Sequence, residues 1–137
     1  MPDHAANTRL FAYGTLLFED IFTRVCGTRR QRADATLADF ARLRVRGASY
    51  PALIASSGCQ TQGVVYYDIE NALWARLDAF EGPQYAREIV HVSVGEEIVA
   101  AATYVFQSAY AHLLDNTSWS PAWFARNALS DYLPGGR

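Results

Sequence analysis

Hydrophobic spacing divides the chain into short runs of two periods. Arg9-Leu10-Phe11-Ala12-Tyr13 is a nearly continuous apolar run ended by Gly14-Thr15, the pattern of a buried strand. Phe18 to Val25 fits a short helix that Cys26-Gly27 closes. Alternation dominates from Ala33 to Val45, with Arg42, Arg44 and Arg46 on one side at period two, which predicts the solvent face of a strand. Ser49 to Ala55, with Pro51 near its start, reads as an edge strand, and Gln62 to Ile69 as a strong one. A helix follows, capped by Asp68 or Asn71 and running to Glu81. Ala86 to Val94 alternates again, Gly95-Glu96-Glu97 forms a turn, and Ile98 to Phe106 is its hairpin partner. A last helix starts at Ser120 with Pro121 in its first turn. Strands interspersed with two or three helices make an α+β domain, and five or more curved strands suggest a small barrel. The segments 1–8 and 134–137 are expected to be flexible ends around one domain, 9–133.

One position breaks the hydrophobic pattern in an informative way. Leu73, Leu77 and Phe80 recur at helical spacing, and Gly82-Pro83 stops the helix. Glu81 is then the last helical residue, four after Leu77 and on nearly the same apolar face. The helix dipole places partial negative charge there, so a cation suits the position better than a carboxylate. Desolvation and the dipole together raise the pKa of a half-buried Glu at such a site, which suits proton transfer near neutral pH. The alternative is a solvated Glu beside a capping glycine.

Composition narrows the function classes. With 137 residues and half of them hydrophobic, the chain can bury a real core as one domain. A net charge of −2 gives no reason to expect nucleic acid or anionic lipid. No apolar run approaches the roughly 18 residues of a membrane span, and no secretory leader is evident. Cys26 and Cys59 stand alone without CxxC spacing and read as small buried hydrophobes in a reducing, cytoplasmic setting. All 12 basic residues are arginine. The absence of lysine excludes a Schiff base, a phosphate-loop Lys and a Ser-Lys dyad. His4, His91 and His112 are scattered, so no zinc site is expected. No GxSxG, GxGxxG or GxxxxGK[ST] occurs.

Besides Glu81, Tyr13-Gly14-Thr15-Leu16 is notable, because a buried strand ends in a glycine and turns at once. Such a turn lets backbone approach a ligand, and successive N–H groups there can receive a carboxylate. A tight turn without a ligand is the alternative.

Taken in order, Phe11-x-Tyr13-Gly14-Thr15-Leu16, Tyr50-Pro51-Ala52-Leu53, Gly63-x-Val65-Tyr66, Leu77-Asp78-x-x-Glu81-Gly82 and Tyr85-x-Arg87 resemble the gamma-glutamylcyclotransferase-like, or AIG2-like, family from about Leu10 to Phe106. The Tyr-Gly-Thr-Leu loop matches the branch of gamma-glutamylamine cyclotransferases and small bacterial AIG2-like proteins. The glutathione-type branch carries Tyr-Gly-Ser-Asn, from which Thr15 and Leu16 depart.

The resemblance implies a small mixed, largely antiparallel β-barrel with helices packed outside and a cavity at one end. It implies that Tyr13, Gly14, Thr15 and Leu16 hold the α-carboxylate and amino end of a γ-glutamyl group, that Glu81 is the general acid/base, and that Tyr85 lines the pocket. Tyr50 and Pro51 are expected at its rim. In the implied reaction the substrate's α-amine attacks its own γ-carbonyl, giving 5-oxoproline and a free amine without a metal or other cofactor. The implied partner is a small γ-glutamyl compound, and the protein is expected as a monomer or homodimer. Two other readings stay open: a binding module of the same fold without catalysis, and another γ-glutamyl acyl chemistry in the same cavity. Trp119, Trp123 and Tyr110 either close over the cavity or complete the core.

Overall fold

A computed structural model describes residues 4–133, and its central feature is a closed barrel. The strands are β1 (Leu10–Ala12), β2 (Arg32–Val45), β3 (Pro51–Tyr66), β4 (Tyr85–Val94), β5 (Glu97–Phe106) and β6 (Leu114–Ser118). They pair in the order β3-β1-β5-β4-β2-β6, and a direct β3–β2 pairing closes the first five into a ring. The β1–β5 pair is parallel and the other pairs are antiparallel. Helices α1 (Glu19–Cys26), α2 (Asn71–Glu81) and α3 (Pro121–Asn127) complete the α+β architecture.

Alternation along the strands builds two cores. Phe11, Leu37, Leu53, Val65, Val90 and Val92 form one cluster. Their sequence neighbours on β1 and β3, Leu10, Ala12, Ala52, Val64 and Tyr66, join the helical residues Ile21, Phe22, Leu73, Leu77 and Phe124 in the other. Successive side chains on a strand face opposite ways, so one strand serves both. The Phe22 ring stacks on Tyr66 at 3.9 Å and fixes α1 against the barrel.

Several sequence expectations are corrected. The two strands expected at 49–55 and 62–69 are one strand, β3, whose pairing with β2 breaks between Ala55 and Gln60. There the chain makes an excursion around Gly58 (φ +85°), whose N–H donates to Asp39 Oδ1 at 2.9 Å. Pro51 opens β3, whose 51–55 half pairs with β2 alone, as an edge does, whereas Val64–Tyr66 is paired on both sides by β1 and β2. Neither Asp68 nor Asn71 caps α2; Glu70 occupies that position without a side-chain bond. β6 was not expected. Cys26 is buried as expected, but Cys59 lies on the excursion and is exposed.

His4–Thr8 forms a 3-10 turn with Ala6 buried, where the sequence led us to expect flexibility up to residue 8. It is held by Trp74 Nε1, which donates to Asn7 O, and by Ile69 N–H, which donates to Thr8 O. The terminal segments 1–3 and 134–137 lie outside the described residues. No described helix is long and apolar enough to cross a membrane.

Candidate active site

A cavity of about 340 Å³ opens at the end of the barrel where β1 finishes. The eight residues expected to form the site all line it: Tyr13, Gly14, Thr15 and Leu16 on the loop, Tyr50 just before β3 and Pro51 at its start, and Glu81 and Tyr85 on either side of the α2–β4 turn.

The loop has an ordered polarity. Tyr13 O accepts from Arg42 Nη1 at 2.8 Å, and Gly14 O and Thr15 O accept from the N–H groups of Leu17 and Phe18. Leu16 O accepts from Tyr66 OH at 2.7 Å and Leu17 O from Arg32 Nη1 at 2.6 Å. All five consecutive carbonyls are therefore occupied. The Thr15 and Leu16 N–H groups have no acceptor among the described residues, as the first turn of a helix must leave them. Gly14 is required here by space: a Cβ would lie 2.8 Å from Pro51 Cγ.

Glu81 reaches the cavity because α2 buries Leu73, Trp74 and Leu77, and Glu81 follows Leu77 by one turn. Gly82, with φ +87°, ends the helix, and Pro83 prevents its continuation. The carboxyl makes no hydrogen bond or ion pair among the described residues. Burial, and secondarily the charge of Asp78, pushes its pKa up to about 8. Its charge is felt at Tyr13, Tyr85 and Tyr104, whose hydroxyls are raised first by burial.

The cavity tyrosines are structural braces as much as lining. Tyr13 OH donates to Tyr104 O, Tyr85 OH to Pro51 O and Tyr50 OH to Gln84 Oε1. Pro51 lies buried at the cavity wall through this bond and its contact with Gly14.

Some residues of the site were not found from sequence. Arg42 was placed on a solvent face, but its guanidinium is desolvated, bonds Tyr13 O and Gln62 O, and lies 5.5 Å from the Trp119 ring. Arg44 packs over Trp123 at 4.3 Å, so two of the three arginines of the row are packed, while Arg46 is exposed as expected. Tyr104 lines the cavity and donates to Asp78 Oδ1 at 2.6 Å, while Arg87 pairs with the same oxygen at 3.3 Å. Asp78 and Arg87 stand in the quoted motifs, and that is the signal that was available for them. Trp119 completes the core and donates to Ser49 O, and neither it, Trp123 nor Tyr110 lines the cavity. Tyr132 and Phe80 do. No group of three or more metal-ligating side chains occurs among the described residues.

Known proteins resemble both the chain and its fold. The family model described as "Gamma-glutamyl cyclotransferase, AIG2-like" matches residues 10–121. AIG2-like protein D of Arabidopsis thaliana is 34% identical over 100 residues, covering 71% of this chain and 66% of that protein. The chain spans about half to two thirds of the length of the curated relatives it matches. A second Arabidopsis thaliana protein, solved in solution, superimposes with a TM-score of 0.73 at 25% identity, covering 90% of this chain and 84% of that one. A structure titled gamma-glutamyl cyclotransferase has the same fold, with a TM-score of 0.65 at 20% identity over 73% of this chain and 66% of that one. The chain belongs to the gamma-glutamyl cyclotransferase, AIG2-like family.

Proposed function

We propose that this protein is a γ-glutamyl cyclotransferase-type enzyme that releases an amine and 5-oxoproline, with Glu81 as its proton carrier. The observation that carries this reading is one unpaired carboxyl of raised pKa sharing a cavity with a loop whose carbonyls are all occupied.

A γ-glutamyl compound brings two charges to be matched. Its α-carboxylate suits the Thr15 and Leu16 N–H groups, and its α-ammonium suits Glu81. The ammonium proton passes to the Glu81 carboxylate, because a neutral amine and a neutral acid are favoured over two charges in a desolvated site. The freed amine attacks the γ-carbonyl carbon and forms the new C–N bond of the ring. The bond to the leaving nitrogen then breaks as Glu81 returns that proton there. The Glu81 carboxylate next takes the second proton, left on the ring nitrogen, and gives it up to the released amine, which departs as an ammonium and leaves a neutral lactam. The nucleophile comes with the substrate, so the protein supplies orientation and proton transfer alone.

The test is a panel of γ-glutamyl dipeptides, glutathione, γ-glutamyl-ε-lysine and γ-glutamyl amines, followed for 5-oxoproline and free glutamate. We expect 5-oxoproline from at least one member. Glu81→Gln should lower kcat/KM by about 10²–10⁴-fold while leaving the fold intact. Free glutamate as product would replace this reading with hydrolytic chemistry, and binding without turnover would replace it with a binding module.

A further inference from the structure

Beyond the loop and Glu81, the cavity is bounded by rings. Tyr50, Phe80, Tyr85 and Tyr132 line it, with Tyr50 edge-on to Tyr85 at 6.4 Å and Phe80 edge-on to Tyr132 at 6.5 Å. Their hydroxyls are committed: Tyr85 to Pro51 O, Tyr50 to Gln84 Oε1, and Tyr132 to Ser49 Oγ at 3.0 Å. The polar side chain left at this wall is the Gln84 amide.

Charge is almost absent. Glu81 is the only Asp, Glu, His or Arg side chain lining the cavity among the described residues, and the chain has no lysine. The nearest guanidiniums are spent elsewhere: Arg42 on Tyr13 O and Gln62 O, Arg32 on Leu17 O, and Arg87 on Asp78.

A carboxylate on the leaving portion of a substrate would be desolvated here without a cation. A second ammonium would compete with the α-ammonium for Glu81. Burial of an unpaired charge is costly, whereas ring edges accept an apolar group without such a penalty. The volume is at the low end of the roughly 300–1,000 Å³ typical of small-molecule pockets, which favours a compact leaving group.

Resting on the cyclotransferase reading above, we propose that the substrate class is γ-glutamyl amides of uncharged aromatic or apolar monoamines. Peptides that end in a free carboxylate, and diamines, are discriminated against.

Three matched compounds test this: γ-glutamylbenzylamide, its 4-carboxy analogue and its 4-aminomethyl analogue. Each is measured for 5-oxoproline formation with the unmodified protein and for calorimetric Kd with Glu81→Gln, which does not depend on turnover. The neutral compound is expected to exceed both charged analogues at least about tenfold in kcat/KM and in affinity. Equal or better performance by either charged analogue overturns the substrate class, and 5-oxoproline formed in that case leaves the cyclotransferase reading standing. If no compound yields 5-oxoproline but the affinity order holds, the wall's preference stands and the cyclotransferase reading falls. Gln84→Arg places a cation at this wall and should raise kcat/KM for the 4-carboxy analogue about tenfold or more. No rise would contradict the claim that a missing cation sets the preference.

Discussion

At the residue scale, Glu81 is a group whose function works against stability. Its folded pKa of about 8 exceeds the ordinary 4.5, so the folded state binds more protons than the unfolded chain between those values. Stability must therefore fall as pH rises from about 4.5 to about 8, and the full penalty remains above that. Glu81→Gln removes the penalty: the variant should be more stable than the parent by about 2 kcal/mol at pH 8.5, the cavity's solvent discounted, and nearly equal to it at pH 4.5. Paired urea titrations at the two pH values check this, and equal gains at both would refute the linkage. Glu81 was legible in the sequence because its anomaly is local, visible as Leu77 spacing followed by Gly82-Pro83. Arg42 was not. Its role depends on Tyr13 O, 29 residues away in the chain, and on a register that period-two spacing does not reveal.

At the element scale, close approach between strands matters more than propensity. β1 and β3 pair antiparallel, Ala12 opposite Val64, and at Gly63 a Cβ would lie 2.2 Å from Ala12 O. The obstacle there is backbone, whereas at Gly14 it is the Pro51 ring. Gly63→Ala should therefore cost more than about 3 kcal/mol, and Gly14→Ala about 1–3 kcal/mol together with most activity. Urea midpoints at constant m distinguish the two, and the reverse order would contradict the model of the sheet. The same scale explains what the sequence concealed. β3 looked like two strands because its apolar alternation lapses through the excursion at Ser56–Cys59, where pairing also lapses. β6, Leu-Asp-Asn-Thr-Ser, carries no hydrophobic period and is a strand through its pairing with Leu43, Arg44 and Val45. α2 was legible almost to the residue, because an apolar stripe and a Gly-Pro stop are both local signals.

At the scale of the whole molecule, the site exists only when the barrel is closed. β1 is three residues long, too short to persist alone, and lies between β3 and β5, with Leu10 opposite both Tyr66 and Ala102. The cavity loop extends directly from it. Closure joins segments far apart in sequence, which is why local periodicity suggested curvature without proving a ring. The two thiols report on this closed state from opposite sides. Cys59 is exposed, while burial pushes the Cys26 thiol up to about 11. A thiol reagent should consume one equivalent quickly in the native protein and the second only on unfolding. Two fast equivalents would mean that α1 opens readily. The five occupied loop carbonyls carry a last consequence, an entropic one. Arg42, Tyr66 and Arg32 hold the loop from three places on the barrel, so its backbone loses its freedom when the chain folds. A ligand arriving at Thr15 and Leu16 then has little ordering left to impose, and its affinity reflects its own contacts in a preorganised frame.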